Sequence, residues 1–127
     1  MALAMQTEST EVETVLAACA QVYAARRIKV EALGAVEVRD GLNQGGRLHG
    51  IVVHGENRIE CVIPRGADIS FYLATLDGLA AAGWDVWVLV SIEMLGSAHR
   101  QLRGVAATLQ PWWDTGTSVC FGRPEIP

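Results

Sequence analysis

Hydrophobic positions first recur at helical spacing. Val12, Val15, Leu16, Cys19, Val22 and Tyr23 fall at i, i+3, i+4 and i+7, the stripe of an amphipathic helix. Thr10 followed by Glu13 has the spacing of a capping box, which predicts a helix start near Thr10 and leaves residues 1–9 as a flexible lead-in. Val30 and Leu33 extend the stripe, and Gly34 can supply a left-handed C′ residue. Ile28-Lys29-Val30-Glu31 also alternates, so a rival end lies near Arg27; the longer helix is the expected one.

Beyond Gly34 the period becomes two. Val36-Glu37-Val38-Arg39 reads as a strand, and Asp40 to Gly46 as the turn after it. Leu48 to His54 and Arg58 to Ile63 read as a second and third strand across a tight Gly55-Glu56-Asn57 connection. Asp68 can cap a helix with Ile69, Tyr72, Leu73, Leu76, Leu79 and Ala80 on one face, ending near Gly83. Val86-Trp87-Val88-Leu89-Val90 is apolar without alternation, the pattern of a strand covered on both faces. Ser91 can cap a short helix ending near Gly104, and residues 105–127 read as a C-terminal β extension turning at Asp114-Thr115-Gly116. The third strand, the helix and Val86–Val90 form a crossover, which demands parallel pairing. The expected fold is a single α/β domain over 1–127, a mixed sheet flanked by helices in the order α-β-β-β-α-β-α with a β tail.

Composition narrows the class. The chain has 127 residues, half of them hydrophobic, and a net charge of −4, which excludes a disordered chain and makes a polyanion-binding surface no default. Nine of its ten basic residues are arginines, scattered among fourteen acids, and Lys29 is the only lysine. Cys19, Cys61 and Cys120 lack paired spacing and read as free thiols in a reducing cytoplasm. No signal peptide is legible, and no stretch reaches the ~18 apolar residues of a membrane span.

Candidate chemistry is sparse. Asp114-Thr115-Gly116-Thr117 matches an aspartic-protease motif, but eleven residues after Gly116 cannot build the rest of that enzyme, so a hairpin turn is expected. His49 and His54 sit five apart on one strand and point to opposite faces, so they cannot share a metal. His99, within the stripe of the short helix, reads as a satisfied, partly buried imidazole. Phosphate-cradling glycine motifs, a nucleophile elbow and zinc-ligand spacings are all missing. Trp112-Trp113, beside Pro111 near the terminus, form a candidate interaction surface.

The stretch Gly46 to Ile63, with the helix before it and the helix–strand pair after it, resembles the PD-(D/E)xK nuclease superfamily, the restriction-endonuclease-like fold. That resemblance implies an Asp at the start of the second strand and a Glu-x-Lys on the third, with two carboxylates holding a divalent ion and the lysine serving the attacking water. The Asp position falls on His49, the Glu position on Glu60 and the Lys position on Val62. Glu60 alone matches, leaving Glu60 and His49 as the candidate catalytic pair. The expectation is therefore a non-catalytic nuclease-like domain acting as an interaction, scaffold or regulatory module, self-associating or bound to a protein partner, with no cofactor. The alternative is a divergent Mg²⁺- or Mn²⁺-dependent nuclease acting on DNA or RNA. A small-ligand site at strand C-termini follows from α/β architecture alone.

Overall fold

A computed structural model describes the backbone of residues 2–33 and 48–127, with side chains from residue 11 onward. The strand expected at Val36–Arg39 and the turn at Asp40–Gly46 lie outside the described residues. Among those described, α1 spans Ala2–Ala25, β1 Glu31–Ala32, β2 His49–Val53, β3 Arg58–Val62, α2 Leu73–Ala81, β4 Asp85–Ser91, α3 Leu95–Gln101, β5 Ala107–Asp114 and β6 Val119–Phe121. They form one α/β domain around a six-stranded mixed sheet in the order β1-β2-β3-β4-β5-β6.

Helix α1 differs from expectation at both ends. It begins at Ala2, so the lead-in is helical, and it stops at Ala25, the rival end, rather than continuing to Leu33. The stop is a Schellman arrangement built without glycine. Arg27 adopts φ 58°, its N–H donates to the Ala24 carbonyl at 3.0 Å, and the Ile28 N–H donates to the Tyr23 carbonyl at 2.9 Å. Ile28 then packs beneath the helix, and the alternation after it becomes β1, with Glu31 opposite Val52.

Strands β1, β2 and β3 pair antiparallel, β3, β4 and β5 pair parallel, and β6 returns antiparallel. The parallel pairing of β3 with β4 is the one the expected crossover requires. The segment expected as an appended β extension instead supplies β5, an inner strand with Leu109 and Trp112 almost wholly buried. Two successive crossovers of one hand, advancing across the sheet in one direction, place both helices on the same face. Leu76 and Leu79 of α2, Ala98 of α3 and Leu102 at its C-cap accordingly share a core with Ile59, Cys61, Val86, Val88, Val90 and Leu109. Val12, Val15, Cys19 and Tyr23 of α1 cover the other face, against Ile51, Val53, Val62, Leu89 and Trp112.

Strand alternation thus sorts each strand between two cores. Gly50 holds β2 close to β3: a Cβ there would lie 2.6 Å from the Glu60 carbonyl oxygen and 3.3 Å from Leu33 Cδ2. Before α2, the Asp68 carboxylate accepts from the Ser70 N–H at 3.0 Å, as its capping role predicts, although the first turn is 3₁₀ (Ile69–Tyr72). Ser91 precedes another 3₁₀ turn, Ile92–Met94, without a side-chain capping bond. No helix of the described residues is long and apolar enough to cross a membrane.

Candidate functional site

The alternation of β3 turns Arg58, Glu60 and Val62 toward α1, while Ile59 and Cys61 enter the opposite core. Cys19 and Tyr23 near the end of α1, and Arg26 just beyond its last residue, face them. Glu60 is only 7 % exposed. It accepts a hydrogen bond from the Tyr23 hydroxyl, and that hydroxyl in turn accepts from Arg58 Nη1 at 3.1 Å.

Arg58 is the hub. Its Nε lies 3.1 Å from Asp85 Oδ2, its Nη1 3.4 Å from Glu56 and 4.0 Å from Glu60, and its guanidinium carbon 4.3 Å from the Trp87 ring centroid. Trp87 Nε1 donates to the same Asp85 oxygen at 3.1 Å. Arg26 closes the chain, bonding Glu56 at 2.9 Å and lying 5.8 Å from the Tyr23 ring centroid. Asp85 reaches Arg58 because β3 and β4 run parallel with those two residues in register.

Burial outweighs the Tyr23 hydrogen bond and the Arg58 charge, so the Glu60 carboxyl is held above its usual range. Burial, followed by the hydrogen bond to Glu60, pushes Tyr23 up to about 12. Burial and the Glu60 charge likewise push Cys19 and Cys61 up to about 12. Both thiols are therefore protonated at neutral pH and offer no nucleophilic thiolate.

A cavity of about 260 Å³ opens between the end of α1 and the sheet, with Cys19, Tyr23, Arg58, Glu60, Trp87 and Phe121 among its lining residues.

The residues singled out in the sequence separate. His49 is exposed at the start of β2, opposite Val62; Ile51, not His49, stands across from Glu60. His49 and Glu60 are thus diagonal neighbours, with Cα atoms about 7–8 Å apart by sheet geometry. Val62 is 1 % exposed beneath α1, an apolar fixture at the position that resemblance assigns to lysine. Trp112 is likewise 1 % exposed and belongs to the α1-side core, with the Arg65 guanidinium 5.3 Å from its ring centroid. A ring enclosed in this way cannot be the docking surface expected of it. Trp113, on the opposite side of β5, is half-buried.

His54 Nε2 lies 2.8 Å from Glu31 Oε2, and Nε2 of the part-buried His99 lies 3.2 Å from Glu125 Oε1. Asp114-Thr115-Gly116-Thr117 is a turn: Asp114 Oδ1 accepts from the Gly116 N–H at 2.7 Å, and Gly116 has φ 92°. All three cysteines are free.

Sequence reasoning missed Tyr23, Arg26, Arg58 and Trp87. Tyr23 falls within an apolar helical stripe, a position that gives no sign of a role for its hydroxyl. The available signal was Glu60 itself, an acid inside the run Ile59 to Ile63, which requires a buried partner. Among the described residues, no three His, Cys, Asp or Glu side chains converge to hold a metal ion. No protein-family model matches the chain, and no curated protein or solved structure matches it significantly.

Proposed function

We propose that this chain is a restriction-endonuclease-like domain that does not cleave nucleic acid and serves as an interaction or regulatory module, bound to a protein partner or a second copy of itself. Its element order supports the fold part of this reading. One helix precedes an antiparallel three-strand unit, and a return helix leads to a buried strand parallel to the third.

The observation that carries the functional part is the engagement of Glu60. The one carboxylate matching the nuclease pattern accepts the Tyr23 hydroxyl beneath α1, and buried Val62 stands where a catalytic lysine would be needed. A valine can neither orient water nor stabilise a developing charge. Partner contact falls to exposed apolar side chains such as Val22, Phe71 and Ile92, because Trp112 is enclosed. The free thiols suit a reducing compartment such as the cytoplasm.

The test is incubation of plasmid DNA and single-stranded RNA with wild type and Glu60→Gln in Mg²⁺ or Mn²⁺. Neither protein should cleave above background. Cleavage by wild type that disappears in Glu60→Gln establishes the nuclease alternative instead. Sedimentation of the purified wild type tests association, and a strict monomer at high concentration removes the self-association part.

A further inference from the structure

We propose that the cavity between α1 and the sheet binds a flat organic group of nucleobase size that presents two adjacent N–H donors, an amidine-like edge, to Glu60. The inference rests on the reading above, because a Glu60 that held a metal ion could not also serve as this acceptor.

Three observations point to that ligand chemistry. The first is charge. The charged groups that line the cavity are the Glu60 carboxylate and the guanidinium groups of Arg26 and Arg58. Each arginine is already tied to a carboxylate outside the lining, Arg26 to Glu56 at 2.9 Å and Arg58 to Asp85 at 3.1 Å. An anionic ligand would have to compete for cations that are committed, whereas a neutral or singly positive donor group would not.

The second is acceptor capacity. A carboxylate can accept about four hydrogen bonds. The Tyr23 hydroxyl and the 4.0 Å approach of Arg58 both address Oε2. Of the remaining neighbours, Cys19 offers only a weak thiol donor. Glu60 lines the cavity, so acceptor capacity remains on a carboxylate only 7 % exposed. In such surroundings a donor gains more than it would in water, because the competing solvent is excluded.

The third is shape. Tyr23, Trp87, Leu89 and Phe121 give the cavity apolar and aromatic walls. Its volume of about 260 Å³ falls below the ~300–1,000 Å³ of sites for drug-sized molecules. A single or fused ring fits that description, and a long or branched molecule does not. Guanine and benzamidine share the required edge: two neighbouring N–H donors, in the ring edge of one and on the amidine substituent of the other, matched to the lone pairs that one carboxylate still offers.

The experiment is calorimetric and thermal-shift titration of the full chain, in EDTA, with benzamidine, guanosine and benzoate separately. Saturable binding of benzamidine, guanosine or both, with benzoate inert, is expected; which one binds distinguishes a simple amidinium from a nucleobase. Glu60→Gln should weaken that binding about tenfold or more, the consequence of losing a charge-assisted bond. On wild type alone, the Trp87 indole N–H resonance should shift on titration while that of Trp84, which packs in the opposite core, should not. Benzoate binding as well as benzamidine overturns the proposal, as does undiminished binding by a folded Glu60→Gln. Absence of binding in EDTA by a protein that also fails to cleave with Mn²⁺ overturns the ligand site alone. Glu60-dependent cleavage overturns the functional reading beneath it.

Discussion

The two faces of the sheet are built from the same strands and solve different problems. Beneath α2 and α3, Ile59, Cys61, Val86, Val88, Val90 and Leu109 meet Leu76, Leu79, Ala98 and Leu102 in a core of uncharged side chains. Beneath α1, the apolar cluster of Val15, Ile51, Val62, Leu89 and Trp112 adjoins a chain of ionisable groups, from Arg26 through Glu56, Arg58 and Tyr23 to Glu60. An apolar group gains stability wherever it is enclosed. A buried carboxylate is tolerated only while its partners hold it. The face with α2 and α3 is therefore a stabilising device, and the α1 face carries the ionisable groups on which the proposed recognition rests.

This contrast can be broken from either side. The largest effect belongs to the apolar face: Leu109→Ala, at a side chain with no exposure, should lower unfolding free energy by about 2–5 kcal/mol in urea denaturation. The loss should be insensitive to pH. Tyr23→Phe removes one hydroxyl and almost no volume, yet should cost about 1.5–3 kcal/mol near neutral pH, because it strips a buried carboxylate of its nearest donor. A Tyr23→Phe protein as stable as wild type would make the two faces equivalent.

The pH dependence has a definite sign. Glu60 is held above its usual value mainly by burial, so the folded state binds its proton more tightly than the unfolded state does. The contribution is fully present below the unfolded value of about 4.3 and is lost as pH rises through the higher folded value. Wild type should therefore lose stability over that interval relative to Glu60→Gln, measured by denaturation at a series of pH values. The smallest effect is expected at the rim. Arg26→Ala breaks an ion pair whose arginine side chain is 55 % exposed, and should change stability by less than about 1 kcal/mol.

How far the sequence could carry these conclusions depended on what each element answers to. The strands β2, β3 and β4, the turn at Asp114 to Thr117 and the helix ending near Gly83 were legible because their period, turn residues and caps act locally. The end of α1 was not, because Arg27 performs at positive φ the task usually given to glycine. Its side chain carries no signal for that role. Trp112 shows the same limit for burial: a tryptophan near the terminus suits a docking face or a core equally well, and the parallel register with β4 decides between them. At the candidate site, Glu60 stood out as an acid among apolar neighbours. Its partners Tyr23 and Arg58, and the Asp85 that holds Arg58, converge only once α1 lies across the sheet and β3 pairs with β4.

The claim on which the account turns is that the Glu60 carboxylate belongs to the Tyr23–Arg58 network and not to a metal ion. Carbon-13 NMR of the Glu60 side-chain carboxyl, titrated with and without saturating Mg²⁺, measures that directly. The expected result is an apparent pKa above the ordinary glutamate value of about 4.3, unchanged by the ion and raised further in Tyr23→Phe. A value below the ordinary one, or a fall when Mg²⁺ is added, would contradict it.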